Sequence, residues 1–178
     1  MNIKNARVLK NANQSNLSVS QNEDYLFSSS YSLSIYPLNA IYTFIPKNAC
    51  STLRFSIAVA NGFLSDIKDV DWIHNNNGTF VASKREIACA DYTFVVLRCP
   101  FRRLVSCFFN KIVDGEINFK DGNGKEIDIN FSNFCEFVAS QERSKMNHHW
   151  RHQVDFLHFS EYDDYFSLEE FSKAVKKL

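Results

Sequence analysis

Two continuous runs of β-prone residues, each followed by a helical pattern, constrain the fold of this 178-residue chain more than any other feature. The first run is Ala-Ile-Tyr-Thr-Phe-Ile at residues 40–45, and the second is Tyr-Thr-Phe-Val-Val-Leu at residues 92–97. Unbroken apolar runs of this length are typical of parallel strands that are buried on both faces. The repeated strand-to-helix unit predicts an α/β protein with a central parallel sheet flanked by helices.

Each run leads into a predicted helix. Residues 50–60 place apolar side chains on one helical face, and Asn61-Gly62 supplies a helix end. After the second run, Pro100 suits the first turn of a helix because its missing N–H is not needed there. We therefore expect the second helix to extend over residues 100–111.

The length of the chain fits one domain. A chain of this size buries roughly 70% of its unfolded surface on folding, and its 45% hydrophobic residues are enough for a large core. Residues 1–24 are rich in Asn, Ser and Gln and show little apolar periodicity. We predict a mobile or peripheral arm over residues 1–24 and a single domain over residues 25–178.

The formal net charge is zero, because 20 Lys and Arg balance 20 Asp and Glu. This balance argues against nucleic acid and polybasic membrane partners, so any anion site must be local. The five cysteines are odd in number and include no C-x-x-C pair, so we expect neither a disulfide framework nor a zinc ribbon. We find no signal peptide and no membrane span of ~20 apolar residues, and we therefore expect a cytoplasmic protein. The sequence does not predict the oligomeric state.

Smaller elements are predicted in the rest of the chain. Ser83-Lys-Arg-Glu86 is a capping box that opens a short helix. Residues 117–131 alternate around an Asp-Gly-Asn-Gly turn and predict a β-hairpin. A helix is expected over about residues 133–141, a short strand over residues 156–159, and a final helix over residues 167–178.

The first candidate binding segment is Ile-Pro-Lys-Asn-Ala-Cys-Ser-Thr at residues 45–52, where the first strand meets its helix. Open α/β sheets bind ligands at the carboxyl ends of their strands, and a helix N-terminus offers free N–H groups to an anion. Lys47 adds a positive charge, and Ser51 and Thr52 add hydroxyl groups. The segment is therefore suited to a phosphate-like group, although it lacks the Walker A glycines.

The second such segment is Arg-Cys-Pro-Phe-Arg-Arg-Leu-Val-Ser at residues 98–106, after the second strand. Arg98 stands at the strand end, where its guanidinium is suited to a bidentate contact with phosphate. Ser106 offers a further hydroxyl donor on the helix. We interpret Arg102 and Arg103 as a solvated basic face of that helix.

Three segments together resemble one known family. They are Pro46-Lys47-Asn-Ala-Cys50-Ser51-Thr52, Arg98-x-Pro100-Phe101-x-Arg103-Leu104-Val105-Ser106 and Asn147-His148-His149-Trp150-Arg151-His152-Gln153. The first two are similar to the 5′-phosphosulfate-binding and 3′-phosphate-binding segments of carbohydrate sulfotransferases of the chondroitin, dermatan and heparan 2-O type. The third is similar to a His-Trp-Arg-Pro-Gln segment of the chondroitin branch. The resemblance covers residues 40–178, with departures at Cys99, usually acidic in the family, and at His152, where that branch has proline.

The resemblance implies a P-loop-like fold of the sulfotransferase and nucleotide-kinase kind, and sulfuryl transfer from 3′-phosphoadenosine 5′-phosphosulfate (PAPS) without a metal. The acceptor is a hydroxyl of a carbohydrate or of another hydroxylated compound. Arg98 and Ser106 would hold the 3′-phosphate. The residues that would wrap the 5′-phosphosulfate are Lys47, Asn48, Ala49, Cys50, Ser51 and Thr52.

The transfer also needs a base for the acceptor proton, and histidine suits this task near neutrality. The candidate bases are His74, His148, His149 and His152, with Glu86 as a weaker one. Of these, His74 and His149 are assigned as catalytic together with Lys47: His74 matches the position of a catalytic His in heparan-type enzymes, and His149 adjoins Trp150. The residues assigned to the acceptor are Trp72, His148, Trp150 and Arg151.

Two other functions stay open. The first is a non-catalytic domain of the same fold that binds an anionic ligand or nucleotide, because a short chain leaves little room for a long glycan groove. The second is a nucleotide kinase, which the missing Walker A glycines disfavour.

Overall fold

The computed structural model of the chain describes residues 6–12, 16–76, 78–115, 117–120, 126–127 and 129–171. These residues divide into two compact units. One unit, here called the sheet unit, comprises residues 1–97 and 153–178, and the other, here called the helical unit, comprises residues 98–152. The boundary between an arm and a domain at residue 24 stays a prediction.

A four-stranded sheet organises the sheet unit. Its strands lie in the order β1 (Ser32–Ile35), β2 (Ala40–Thr43), β3 (Tyr92–Leu97) and β6 (Asp164–Ser167). β1 pairs antiparallel with β2, whereas β2, β3 and β6 run parallel. The predicted central parallel sheet is confirmed, with β1 as an added antiparallel strand at its edge, and the first two predicted strands become the adjacent pair β2 and β3.

The two central strands are buried on both faces, which explains their unbroken apolar sequence. Tyr42 and Phe94 stack at 5.0 Å between ring centroids on the face that packs against helix α2 (Cys50–Ala60). Ile41 and Val95 point to the other face, where a second hydrophobic cluster forms. Adjacent strands thus contribute alternate residues to two cores, one on each side of the sheet.

Further helices surround the sheet in this unit. Helix α2 has the predicted bounds and buries Leu53 and Ile57, whereas Ala60 is exposed. The predicted capping box at Ser83 is present and opens α4. The remaining helices of this unit are α1 (Glu23–Ser29), α3 (Trp72–Asn75), α4 (Lys84–Cys89) and α7 (Gln153–Phe156), with short 3₁₀ turns at Tyr36–Leu38, Ile67–Asp69 and Leu168–Glu170.

The helical unit is built on helix α5 (Pro100–Phe108), which begins at Pro100 as predicted and continues as a π-helical turn over Phe109–Val113. It packs with helix α6 (Phe131–Ser140) around a third hydrophobic cluster. Strands β4 (Phe119–Lys120) and β5 (Glu126–Ile127) form the described part of the predicted hairpin, whose turn at residues 121–125 lies outside the described residues. A 3₁₀ turn follows at Arg143–Lys145.

The last third of the chain departs from the sequence prediction. Residues 156–159 do not form a sheet strand; Phe156 ends α7, and Phe159 makes an isolated bridge to Leu9. The third parallel position is taken instead by β6, where a helix start was expected. Of the predicted final helix, residues 172–178 lie outside the described part of the chain, and residues 168–170 form a 3₁₀ turn.

Residues of the N-terminal segment contact other parts of the sheet unit, to which this segment belongs. Arg7 forms a salt bridge of 2.7 Å with Asp163, and its guanidinium donates to the carbonyl oxygens of Ala90 and Asp91. Asp163 also accepts hydrogen bonds from the backbone and side chain of Thr93. In the described ranges, no helix is both long enough and apolar enough to cross a membrane.

Candidate functional site

The loop after β2 has an unusual backbone for residues that are not glycine. Lys47 has φ +70° and Ala49 has φ +57°, both in the left-handed region. Such conformations are strained for L-residues and are concentrated at functional sites. Alternation of right- and left-handed residues also turns successive N–H groups toward one point, which forms a concave anion-binding nest. The loop geometry therefore fits the phosphate-like ligand that the sequence predicts here.

Helix α2 begins without a side-chain cap, because its N-cap residue is Ala49. Its first intrahelical bond from the main chain is that of Leu53, which donates to the carbonyl oxygen of Ala49. The N–H groups of Cys50, Ser51 and Thr52 thus have no acceptor within the helix. They lie at the positive end of the helix dipole and are oriented for an anion.

Capping separates α2 and α5, which follow the parallel strands β2 and β3, from the other helices of similar length. Among described helices of six or more residues, α1, α4 and α6 are capped by the side chains of Asn22, Ser83 and Asn130. Helices α2 and α5 have no such cap, and their N-cap residues are Ala49 and Cys99. These two are the helices that the sequence assigns to phosphate groups.

The side chain of Asn48 links the loop to neighbouring elements through hydrogen bonds. Its side chain is fully buried, and its Nδ2 donates to the carbonyl oxygen of Val96 at 2.8 Å and to Oε1 of Gln153 at 2.7 Å. Its Oδ1 is buried and has no hydrogen-bond partner within the described residues. The loop is thus joined to β3 and to the last residue of the third sequence segment. The resemblance assigned Asn48 to the donor and gave no role to Gln153.

A buried cation lies behind the first turn of α2. Arg54 donates to the carbonyl oxygen of Ile73, and its guanidinium stands 5.3 Å from the centroid of the Phe44 ring. Burial lowers the pKa of Arg54, and burial raises the pKa of Tyr42 well above its usual value. Both groups interact electrostatically with Cys50. Sequence reasoning missed this cluster because nothing in the helical periodicity distinguishes a buried Arg.

The basic segment after β3 separates into exposed and buried arginines. Arg98 directly follows the last residue of β3 and is half-buried, as is Ser106 on α5. Arg102 is exposed as expected. The interpretation of Arg103 as solvated is wrong: its side chain is buried, and it donates from Nη1 to the carbonyl oxygen of Arg151 and from Nη2 to that of His148.

The third segment forms a turn in the helical unit, here called the His turn and defined as residues 147–151. The carbonyl oxygen of Asn147 accepts hydrogen bonds from the main chain of Trp150 and Arg151, and its Oδ1 lies 2.9 Å from both the backbone nitrogen and Nδ1 of His149. The rings of His148 and His149 are adjacent, with 4.0 Å between centroids. The structure thus brings two of the candidate bases together.

The two tryptophans assigned to the acceptor differ in exposure. Trp150 is 7% exposed, belongs to the third hydrophobic cluster and donates from Nε1 to Oε1 of Gln141. A ring held in a core has little surface for stacking on a sugar, so the structure does not support Trp150 as a platform. Trp72 is half-buried and packs against Phe63 and Phe80, which leaves part of its ring accessible.

The remaining candidate bases lie on the surface or in a cap. His74 is exposed on α3, and His152 is exposed between the His turn and α7. Glu86 closes the capping box of α4, where hydrogen bonds from Ser83 hold its pKa below its usual value. A lowered pKa makes a carboxylate a weaker base, so the structure disfavours Glu86.

The mostly parallel sheet and its flanking helices define an α/β protein, and comparison with known proteins agrees with this fold. The model of the Sulfotransferase family matches residues 37–178, and the chain therefore belongs to that family. The match includes all of the candidate site residues named above.

Curated relatives narrow the similarity to carbohydrate sulfotransferases. Carbohydrate sulfotransferase 14 of Mus musculus and that of Homo sapiens are each 27% identical over 132 residues, which cover 62% of this chain and 35% of theirs. The Danio rerio protein of the same name is 27% identical over 135 residues, with 36% of its length covered. The chain thus spans about a third of the length of these relatives. No solved structure matches it significantly.

The similarity corrects one expectation. The prediction of a cytoplasmic protein conflicts with the similarity to proteins named carbohydrate sulfotransferase and is not retained. Within the part of the chain that the structure describes, no group of three or more His, Cys, Asp or Glu side chains is placed to hold a metal ion.

Proposed function

We propose that this protein transfers a sulfuryl group from PAPS to a hydroxyl of a carbohydrate. Membership of the Sulfotransferase family supports the transfer, and similarity to proteins named carbohydrate sulfotransferase 14 supports the acceptor class. The proposal assigns the 5′-phosphosulfate to residues 47–52 and the 3′-phosphate to Arg98 and Ser106.

The observation that carries the proposal is the backbone of the loop before α2. Two left-handed residues lie in the loop before an uncapped helix start, whose first N–H groups have no acceptor within the helix and are suited to an anion, and Lys47 adds a full positive charge. The buried amide of Asn48 fixes this arrangement through β3 and Gln153. A rigid loop of this kind stabilises charge that grows on a leaving phosphate without having to reorganise during the reaction.

The chemistry asks little else of the protein. PAPS supplies the sulfuryl group, whose bond to the 5′-phosphate oxygen breaks as its bond to the acceptor oxygen forms. Like loose phosphoryl transfer, this reaction depends on alignment and charge neutralisation more than on covalent catalysis. A histidine takes the acceptor proton, and the candidates are His74 and the two histidines of the His turn.

Loss of the Lys47 charge tests the proposal. Lys47→Ala is expected to reduce transfer of labelled sulfate from PAPS by about a hundredfold or more, because a cation at the developing phosphate charge is lost. The assay uses a panel of glycan acceptors and measures both labelled product and released adenosine 3′,5′-bisphosphate. Lys84→Ala is the matched control, since Lys84 is an exposed lysine of the same unit.

The same assay separates the alternatives. Retained transfer in Lys47→Ala removes Lys47 from the mechanism. Binding of the bisphosphate without turnover on any acceptor favours the non-catalytic binding domain. If the wild-type protein neither binds the bisphosphate nor transfers sulfate, this result contradicts the proposed donor.

A further inference from the structure

Arg103 is a cation buried in the helical unit, and two of its hydrogen bonds reach one turn of the chain. It is 5% exposed, and its two terminal nitrogens donate at 2.7 Å to the carbonyl oxygen of Arg151 and at 3.2 Å to that of His148. A planar guanidinium offers several donors in a fixed fork, which lysine does not reproduce. One side chain of α5 thus forms hydrogen bonds with the first and the last residue of the segment 148–151.

The His turn is held from its other sides as well. Asn147 accepts the backbone N–H groups of Trp150 and Arg151, and Trp150 is anchored in the core through its ring and through Gln141. Within this frame, His149 is fixed by its contact with Asn147. The two histidines therefore lie on a turn that hydrogen bonds from Asn147, Trp150 and Arg103 of α5 hold in place.

The surroundings of His148 favour the neutral form of its ring. Although His148 reaches the surface, partial burial lowers its pKa, and the positive charges of Lys111 and Arg103 lower it further. The titratable and charged groups that face it are Lys111, Arg103 and the adjacent ring of His149. A neutral imidazole at neutral pH is the form that accepts a proton.

From this geometry we infer that Arg103 is a positioning residue for sulfuryl transfer, acting through the His turn that it clamps. The inference rests on the proposed function, in which a histidine of the turn serves the acceptor hydroxyl. Arg103 itself contacts neither donor nor acceptor in this account. Its role is to hold the two imidazoles in place, and its charge adds to the effects of burial and of Lys111 that lower the pKa of His148.

Arg103→Gln tests the inference through two measurements. NMR titration of the folded protein, with no donor or acceptor present, is expected to show displaced signals for His148 and His149 and a raised pKa for His148, because one positive charge is lost. Kinetics are expected to show kcat reduced on the order of tenfold, with its acidic limb moved to higher pH. The dissociation constant of adenosine 3′,5′-bisphosphate is expected to stay within about twofold of the wild-type value.

Two further variants complete the experiment. Arg102→Gln is the matched control on the exposed side of α5 and is expected to leave both measurements unchanged. Arg103→Lys keeps the charge but loses the fork, so the pKa of His148 is expected to remain low while kcat falls by a smaller factor. This variant also serves if Arg103→Gln does not fold.

The outcomes are distinct. Wild-type kcat in a folded Arg103 variant overturns the inference, whether or not the histidine signals move, and so does a loss confined to bisphosphate binding. If the wild-type protein transfers no sulfate, the proposed function fails, and the histidine titrations alone decide whether Arg103 holds the turn.

Discussion

At the scale of single residues, the burial and contacts of the candidate site residues depend on partners distant in sequence. The motifs predicted Lys47 and the loop around it, but not the burial of Asn48, whose partner Gln153 is 105 positions away. Arg103 was misinterpreted for the same reason, because its acceptors lie 45 and 48 positions later. Helical periodicity reports which face a residue occupies, and it carries no information on what packs there.

Loss of the two hydrogen bonds that Asn48 donates to Val96 and Gln153, here called the Asn48 clamp, is expected to lower the free energy of unfolding. Asn48→Leu keeps the approximate volume but deprives the carbonyl oxygen of Val96 and the side chain of Gln153 of a donor. We expect the free energy of unfolding to fall by about 1–3 kcal/mol, measured by urea denaturation. Asn133→Leu, at an exposed helical position, is the control and is expected to change stability by less than about 0.5 kcal/mol. Equal effects of the two substitutions contradict the clamp.

At the scale of elements, continuous apolar runs predicted β2, β3 and the helices that follow them. The strand β6 was missed because its burial alternates, as expected for an edge strand with one solvated face. The run at residues 156–159 looked like a strand because it is apolar, yet its aromatic rings fill the second core from the end of α7. Apolar content alone does not separate a strand from a buried helical turn.

The strain in the loop before α2 predicts opposite effects of one substitution at two alanines. Ala49→Gly relieves a left-handed residue and is expected to leave stability unchanged or to raise it by up to about 1 kcal/mol. Ala58→Gly, in the buried middle of α2, is expected to lower it by about 1–2 kcal/mol, through lost helix propensity and lost burial. Thermal denaturation compares the two, and destabilisation of similar size at both positions contradicts strain at Ala49.

At the scale of the whole molecule, stability depends on a histidine that the motifs did not single out. His158 is fully buried, and its Nδ1 lies 2.8 Å from Oγ of Ser28, which itself donates to the carbonyl oxygen of Asp24. Nε2 of His158 is buried without a hydrogen-bond partner among the described residues. Burial lowers the pKa of His158 to about 4.

This burial predicts a pH dependence with a definite sign. The unfolded chain binds a proton on this histidine below about pH 6.5, whereas the folded chain does so only near pH 4. The contribution of His158 is thus complete above pH 6.5 and is lost as the pH falls toward 4, by up to about 3 kcal/mol. Urea denaturation across this range is expected to show a smaller loss in His158→Gln than in wild type. In His152→Gln, which changes an exposed histidine, the loss is expected to match wild type.

The most direct test of the central claim is the thermal shift caused by adenosine 3′,5′-bisphosphate compared with 5′-AMP. A donor site with separate positions for the 5′ and 3′ groups predicts a rise in Tm of several degrees with the bisphosphate at about a hundred times its Kd, and a far smaller rise with 5′-AMP at the same concentration. Lys47→Ala and Arg98→Ala are each expected to reduce the bisphosphate shift, and Lys84→Ala is not. Equal shifts with the two nucleotides, or a shift that both variants leave intact, contradict the PAPS site proposed for this chain.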